Sequence, residues 1–205
     1  MSYSDFKTIE NIKDKFNIPI ISGDPLFSET DEAEAGHILT EILKDNTSLA
    51  LNINTEKARS ELIICPVLVE VRRILNRKVS LFSGTDFNVD ETLGLTGYCD
   101  FIMSSSPNQV FLEFPIVCIV EAKNETIRTG YAQCIAEMIA AKIFNERNSA
   151  EASYILGVVT TGSNWKFLKY ESGSVLVDFD EYLISQVNKI LGIFVETMKE
   201  NVIRA

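Results

Sequence analysis

A single histidine, His37, and a single tryptophan, Trp165, occur in 205 residues. A zinc site built on several histidines is therefore excluded. A Ser-His-Asp triad would have to rest on His37, in EAGHILTEI, and no GxSxG nucleophile turn occurs anywhere in the chain. The four cysteines, Cys65, Cys99, Cys118 and Cys134, stand singly beside apolar residues with no CxxC pair, so they read as buried free thiols rather than a metal or disulfide framework. Long apolar runs are missing too. The longest are stretches such as Phe114 to Val120, far short of the ~18 residues a membrane helix needs. The opening MSYSDFKTIENIKDK is polar and mixed in charge, unlike a signal peptide, so a soluble cytoplasmic protein is expected.

Bases are the scarcer sign, 19 Lys and Arg against 29 Asp and Glu, for a net charge of −10. The imbalance is local: residues 1–50 hold ten acids and four bases, and the rest of the chain is only mildly acidic. Arg59, Arg72, Arg73, Arg77 and Lys78 form a basic cluster in the sequence. The overall sign argues against non-specific polyanion binding, which phosphate neutralisation drives. A local site that offsets phosphate charge with a metal ion stays open.

What is present is an ordinary globular composition, 46% hydrophobic and 23% charged, in a chain long enough to bury a full core. Residues 1–54 read as an acidic helical N-terminal extension, with helices over about Ser4 to Phe16 and Thr30 to Leu43, and LALNIN as a short strand or loop. Residues 55–205 read as the main domain. A helix is expected from Thr55 to Arg77, kinked at Pro66. One bent strand or two follow in 79–90, then strands in 95–104 and 109–123, a helix over 130–147 and a strand in 153–162. A terminal hairpin and a helix from about Asp180 to Val202 close the chain. The fold class is α/β: one mixed sheet flanked by helices, with the order helix, three strands, helix, strand.

The chemistry gathers around Asp100 and Glu121-Ala122-Lys123. Alternate residues of a strand share a face, so Glu121 and Lys123 emerge together at the end of a very apolar strand, where ionisable groups are costly unless paired or liganded. Asp100 precedes Glu121 by 21 positions, enough for its own strand to turn and lie alongside. Two converging carboxylates make a hard-oxygen site for Mg²⁺ or Mn²⁺, and a lysine beside them can position water or stabilise charge on a phosphate. Spacing alone is weak evidence, since Asp5-Phe6-Lys7 has a related pattern in a polar segment. A structural salt bridge at a strand end is the competing reading.

Asp100, Glu121-Ala122-Lys123 and Gln133 on the next helix resemble the PD-(D/E)XK nuclease superfamily over about residues 55–162. TTGSNWKFL, 160–168, is similar to a T-x-G-x-x-W turn seen after the core in the N-terminal nuclease domain of type I restriction subunits. The chain looks most like short, stand-alone bacterial members. The resemblance implies a restriction-endonuclease-like αβββαβ core, metal ligation at Asp100 and Glu121 with Ala122 counted among the ligand positions, and a water-assisting Lys123. Cys99 stands where the motif has proline.

Gln133 and Glu137 are neighbours on one helix face, and Gln133 is the expected supporting residue. A glutamate from the first helix is also implied. Glu61 and Glu70 compete for that role, and Glu61 is favoured because it precedes the apolar run. Trp165 reads as core packing ahead of base stacking. Thr160, Thr161, Ser163 and Asn164 read as turn formers first and phosphate contacts second. The C-terminal helix carries two apolar stripes, which suggest deep docking or a homodimer interface. The expectation is a Mg²⁺-dependent nuclease acting on DNA, with a protein partner for targeting. The alternative is an inactive nuclease-like domain serving as a binding or regulatory module.

Overall fold

A computed structural model describes residues 2–202. Eight strands form one mixed sheet: β1 Ile20–Ser22, β2 Ser80–Asp86, β3 Tyr98–Ser104, β4 Ile116–Ala122, β5 Ile155–Thr160, β6 Asn164–Glu171, β7 Ser174–Val177 and β8 Tyr182–Leu183. Their order is β1-β7-β6-β5-β4-β3-β2, with β8 paired to β6. β2, β3 and β4 run antiparallel in succession, β4 and β5 are parallel, and β5 to β7 are antiparallel again. The parallel pair needs a crossover, which α5 (Tyr131–Arg147) supplies. Helix, three strands, helix and strand therefore follow one another as the sequence predicts.

The two central strands are buried along their whole length and mostly apolar because both faces are covered. On one face α5 and α1 (Ile9–Phe16) contribute Ile135, Met138, Ile139 and Ile12 to a core with Ile119 and Val159. On the other, α4 (Cys65–Ile74) and α6 (Val187–Val202) pack Val67, Leu68, Ile190 and Phe194 against Val120 and Val158. Gly157 permits the close approach of α5, since a Cβ there would lie 2.3 Å from Met138 Sδ. All four cysteines are free thiols, three of them buried. Among the described residues no helix is long and apolar enough to cross a membrane.

Several boundaries differ from the sequence expectation. The first 54 residues are not purely helical: they add β1 to the sheet edge and place Tyr3, Phe6, Ile12, Phe27 and Leu39 in the cores. Residues 30–36 are an extended strap rather than the start of a helix. Asn188 holds it, accepting the Ala33 N–H on its carbonyl at 2.9 Å and the Ala35 N–H on its Oδ1 at 3.0 Å. Helix α2 begins at His37 and runs through LALNIN to Ile53, stopped by Asn54 in the left-handed conformation. Residues 105–115 form a loop instead of a strand, because Glu113 turns back to accept hydrogen bonds from Ser106 Oγ and Asn108 Nδ2.

The first long helix has an instructive interruption. α3 (Glu56–Arg59) passes through a π turn, Ser60–Ile64, into α4, with Cys65 N–H bonded to the Ser60 carbonyl. Pro66 has no N–H for the Leu62 carbonyl four residues earlier. That carbonyl accepts instead from Asn46 Nδ2 of α2 at 3.3 Å.

The C-terminal helix starts at Val187, after β8 and a short 3-10 turn, Ile184–Gln186. Its width is explained by deep docking: Ile190, Leu191, Ile193, Phe194, Val195 and Met198 are all buried within the chain. Most of the apolar residues that suggested a homodimer through this helix are thus already covered, while Leu183 is exposed and Ile184 and Val187 are half-buried.

Gly192 of α6 lies under the strap, where a Cβ would sit 2.0 Å from the Asp31 carbonyl oxygen. Gly192→Ala must push the strap away, and we expect it to cost about 2 kcal/mol in urea unfolding and to open residues 24–36 to protease. An unchanged midpoint and digestion pattern would show that the strap is not held there.

Candidate active site

The sheet positions the cluster by register. β3 and β4 pair from Phe101↔Val120 inward, so one step outward sets Asp100 opposite Glu121. Asp100 Oδ2 accepts the Ala122 N–H at 2.8 Å. On the other side the Lys123 N–H bonds to the Thr160 carbonyl at 2.8 Å, continuing the line of β4 and β5. Lys123 Nζ forms an ion pair with Glu121 Oε1 and reaches Gln133 Oε1 at 3.4 Å. Gln133 Nε2 donates in turn to Glu137 Oε1 at 3.1 Å. The predicted Asp100, Glu121, Lys123 and Gln133 are therefore brought together, and Glu137 joins them from below.

Glycine builds one wall of this site. Gly130, just before α5, sits so close that a Cβ would lie 2.5 Å from Val159 Cγ1 and 3.2 Å from Lys123 Cγ. Only a residue without a side chain lets α5 and the lysine stem share that space.

The electrostatics are those of carboxylates crowded out of water. Glu121 is 1% exposed, and burial and Asp100 push its carboxyl up to about 8 against the pull of Lys123. Burial also raises Asp100, opposed by the Ala122 N–H and Lys123. Glu137, fully buried, is pushed well above the ordinary carboxylate range by desolvation and by Glu121. Glu121 Oε2 and Glu137 Oε2 have no hydrogen-bond partner, although both are buried. Such orphaned oxygens are costly unless a proton or cation meets them.

Neither glutamate expected from the first helix joins the cluster. Glu61 is exposed and pairs with Lys57 at 3.5 Å. Glu70 is buried elsewhere, accepting the Gly36 N–H at 3.0 Å and pairing with Arg73 at 2.7 Å. Glu56, in the first turn of α3, is the one whose charge is felt by Lys123 and Glu121. Its own carboxyl is raised by desolvation, drawn down by Lys123 and raised again by Asp100. Glu56 stands in the first turn of its helix, ahead of the π turn, where an acid ordinarily serves the helix dipole and so gives no sequence signal of a site role. Thr55 caps this helix, its Oγ1 accepting the Ala58 N–H at 3.1 Å, which fixes Glu56 in the first turn.

Trp165 is fully buried, donates Nε1–H to the Gly162 carbonyl at 3.0 Å and meets Phe194 edge-on. It belongs to the core, as the sequence favours. The turn ahead of it is held by Thr160 Oγ1, which donates to the Asn164 carbonyl at 2.8 Å and accepts the Gly162 N–H at 2.9 Å. His37 is the exposed first residue of α2.

The oxygen donors of Asp100 and Glu121, and the unpartnered Glu121 Oε2 in particular, fit a small hard cation. No set of three His, Cys, Asp or Glu side chains is gathered tightly enough to hold a metal by itself among the described residues. That is compatible with Mg²⁺, which usually keeps several waters and takes only one or two carboxylates.

A carboxyl raised in the folded state is protonated more readily there than in the unfolded chain. Stability then falls as pH climbs from the unfolded value near 4.5 through about 8, where Glu121 ionises. Glu121→Gln should therefore raise the melting temperature of metal-free protein above pH 8 and flatten its decline between pH 5 and 8 by calorimetry. An unaltered pH profile would mean that Glu121 is not forced up by its surroundings.

No protein-family model, curated protein or solved structure matches this chain.

Proposed function

We propose that the protein is a Mg²⁺-dependent nuclease that hydrolyses phosphodiester bonds in DNA. The observation that carries this reading is the buried Glu121, with one oxygen paired to Lys123 and the other unpartnered, beside Asp100 at the open end of the sheet. The resemblance of Asp100, Glu121-Ala122-Lys123 and Gln133 to the PD-(D/E)XK pattern supports it, as does the order of helix, three strands, helix and strand.

Asp100 and Glu121 would hold the metal, and Ala122 could contribute only through its main chain. When bound, the cation would offset phosphate charge and lower the pKa of a coordinated water. Lys123 places its ammonium beside Glu121, where it can orient an attacking water and stabilise negative charge on the phosphate. Gln133 restrains that ammonium from the helix side and is itself held by Glu137. Glu56 lies within electrostatic reach at the mouth and replaces Glu61 as the helix carboxylate.

A second reading, an inactive nuclease-like module, rests on the net charge of −10 and the scarcity of basic residues. Calorimetric titration separates the two. Mg²⁺ or Mn²⁺ should bind the wild type, and Asp100→Asn or Glu121→Gln should abolish binding. Lys123→Met should keep the metal yet lower DNA cleavage by roughly 10²-fold or more. Glu61→Ala should change neither. Failure of the wild type to bind either ion would overturn the nuclease reading.

A further inference from the structure

Next to the carboxylate cluster lies a second, polar pocket of about 410 Å³. Arg59 from α3, Arg128 from the turn before α5 and Lys166 from β6 line it. None of the three is in an ion pair with a described residue, which is notable in a chain this acidic. Arg59 gives Nη1 to the Thr161 carbonyl at 2.7 Å and Nη2 to Asn54 Oδ1 at 3.0 Å, but its buried Nε–H has no partner. Among the described residues Lys166 Nζ hydrogen-bonds only to the Phe179 carbonyl, at 2.9 Å. Arg128 makes no hydrogen bond or ion pair through its guanidinium with any described residue.

Glu125 and Glu181 also line the pocket, so three cations face two carboxylates. Glu181 is partly engaged, accepting from Asn164 Nδ2 at 2.7 Å. Hydroxyls of Thr161 and Ser163 complete a wall that is almost wholly polar. A hydrated anion with several acceptor oxygens suits such a lining, and an apolar ligand does not.

The pocket and the carboxylate cluster share a wall. Asn124, in the pocket, directly follows Lys123, and Arg59 bonds to the carbonyl of the residue after Thr160, which accepts the Lys123 N–H. We infer that this pocket seats a backbone phosphate of the nucleic acid adjacent to the phosphodiester held at Lys123. Its position would thread the strand past α3 and the 160–165 turn and set which bond meets the carboxylates. This rests on the nuclease reading and adds a substrate subsite to it.

The test is fluorescence anisotropy of a short single-stranded DNA in Ca²⁺, which takes the same oxygen ligands, across a salt series, with inorganic phosphate as competitor. Arg128→Ala and Lys166→Ala change side chains that pack into neither core. Each should weaken binding roughly five- to tenfold and lower the salt slope by about 1. Phosphate should compete with DNA in the wild type and lose that ability in the double variant. Mg²⁺ titration of the same variants should be unchanged. DNA affinity and salt slope unmoved by both substitutions would overturn the subsite while leaving the metal-site reading intact. DNA binding sensitive to both, in a protein that binds no Mg²⁺, would support the subsite and sink the nuclease reading instead. A wild type that binds Mg²⁺ but no DNA would overturn the subsite.

Discussion

Ionisable groups at the end of a strand that is buried along its whole length impose the constraint around which this molecule is arranged. β4 is inaccessible from Ile116 to Ala122, and Glu121 takes part in that burial. A carboxylate there must find a cation, a proton or a hydrogen-bond donor. Lys123 supplies the first to one oxygen, while the other is left without a partner. Asp100 adds a second acid to the same spot rather than relieving it. Buried polar groups in native proteins are normally satisfied, so the unpartnered oxygens of Glu121 and Glu137 are where a proton or a cation gains most.

The surrounding helices cover the sheet, and two of them also serve this cluster. α5 approaches over Gly157 and begins beside Gly130, which brings Gln133 to the lysine and places Glu137 beneath it. α3 is tied across to the end of β5 by Arg59 and the Thr161 carbonyl, so its first turn overlooks the same opening. The π turn that follows lets α4 turn its apolar side into the opposite core without dragging α3 away.

The acidic N-terminal stretch has a structural task. Its strap crosses α6 at Gly192, with Lys189 Nζ donating to the Ser28 carbonyl, and it contributes aromatic residues to both cores. Much of the chain's negative charge therefore lies along a solvated strap and helix surface rather than at the carboxylate cluster. Beside that cluster the unpaired bases gather, which a whole-chain charge conceals.

The sheet's central strands, α5, the terminal hairpin and the shared face of Glu121 and Lys123 were legible from sequence, because they follow from local periodicity and the two-residue alternation of strands; Asp100 and Gln133 were expected to join them from the resemblance. The pocket's basic residues were not legible as a group: Arg59, Arg128 and Lys166 are far apart in the chain and are joined only by how α3, the turn before α5 and β6 meet. Nor was Glu56, since an acid in the first turn of a helix is ordinarily explained by the helix dipole alone. The strap over α6 was hidden for another reason: its acidic residues suit a helix start, and the hydrogen bonds to Asn188 that hold it extended come from far along the chain, 153 residues away in the case of Ala35. Short-range pattern alone dictated the central strands β3, β4 and β5 and which of their side chains share a face, but not β1 or the loop at 105–115. Long-range packing decided which helix residue faces the carboxylates and where the free positive charge collects, because each depends on contacts between segments that the chain keeps far apart.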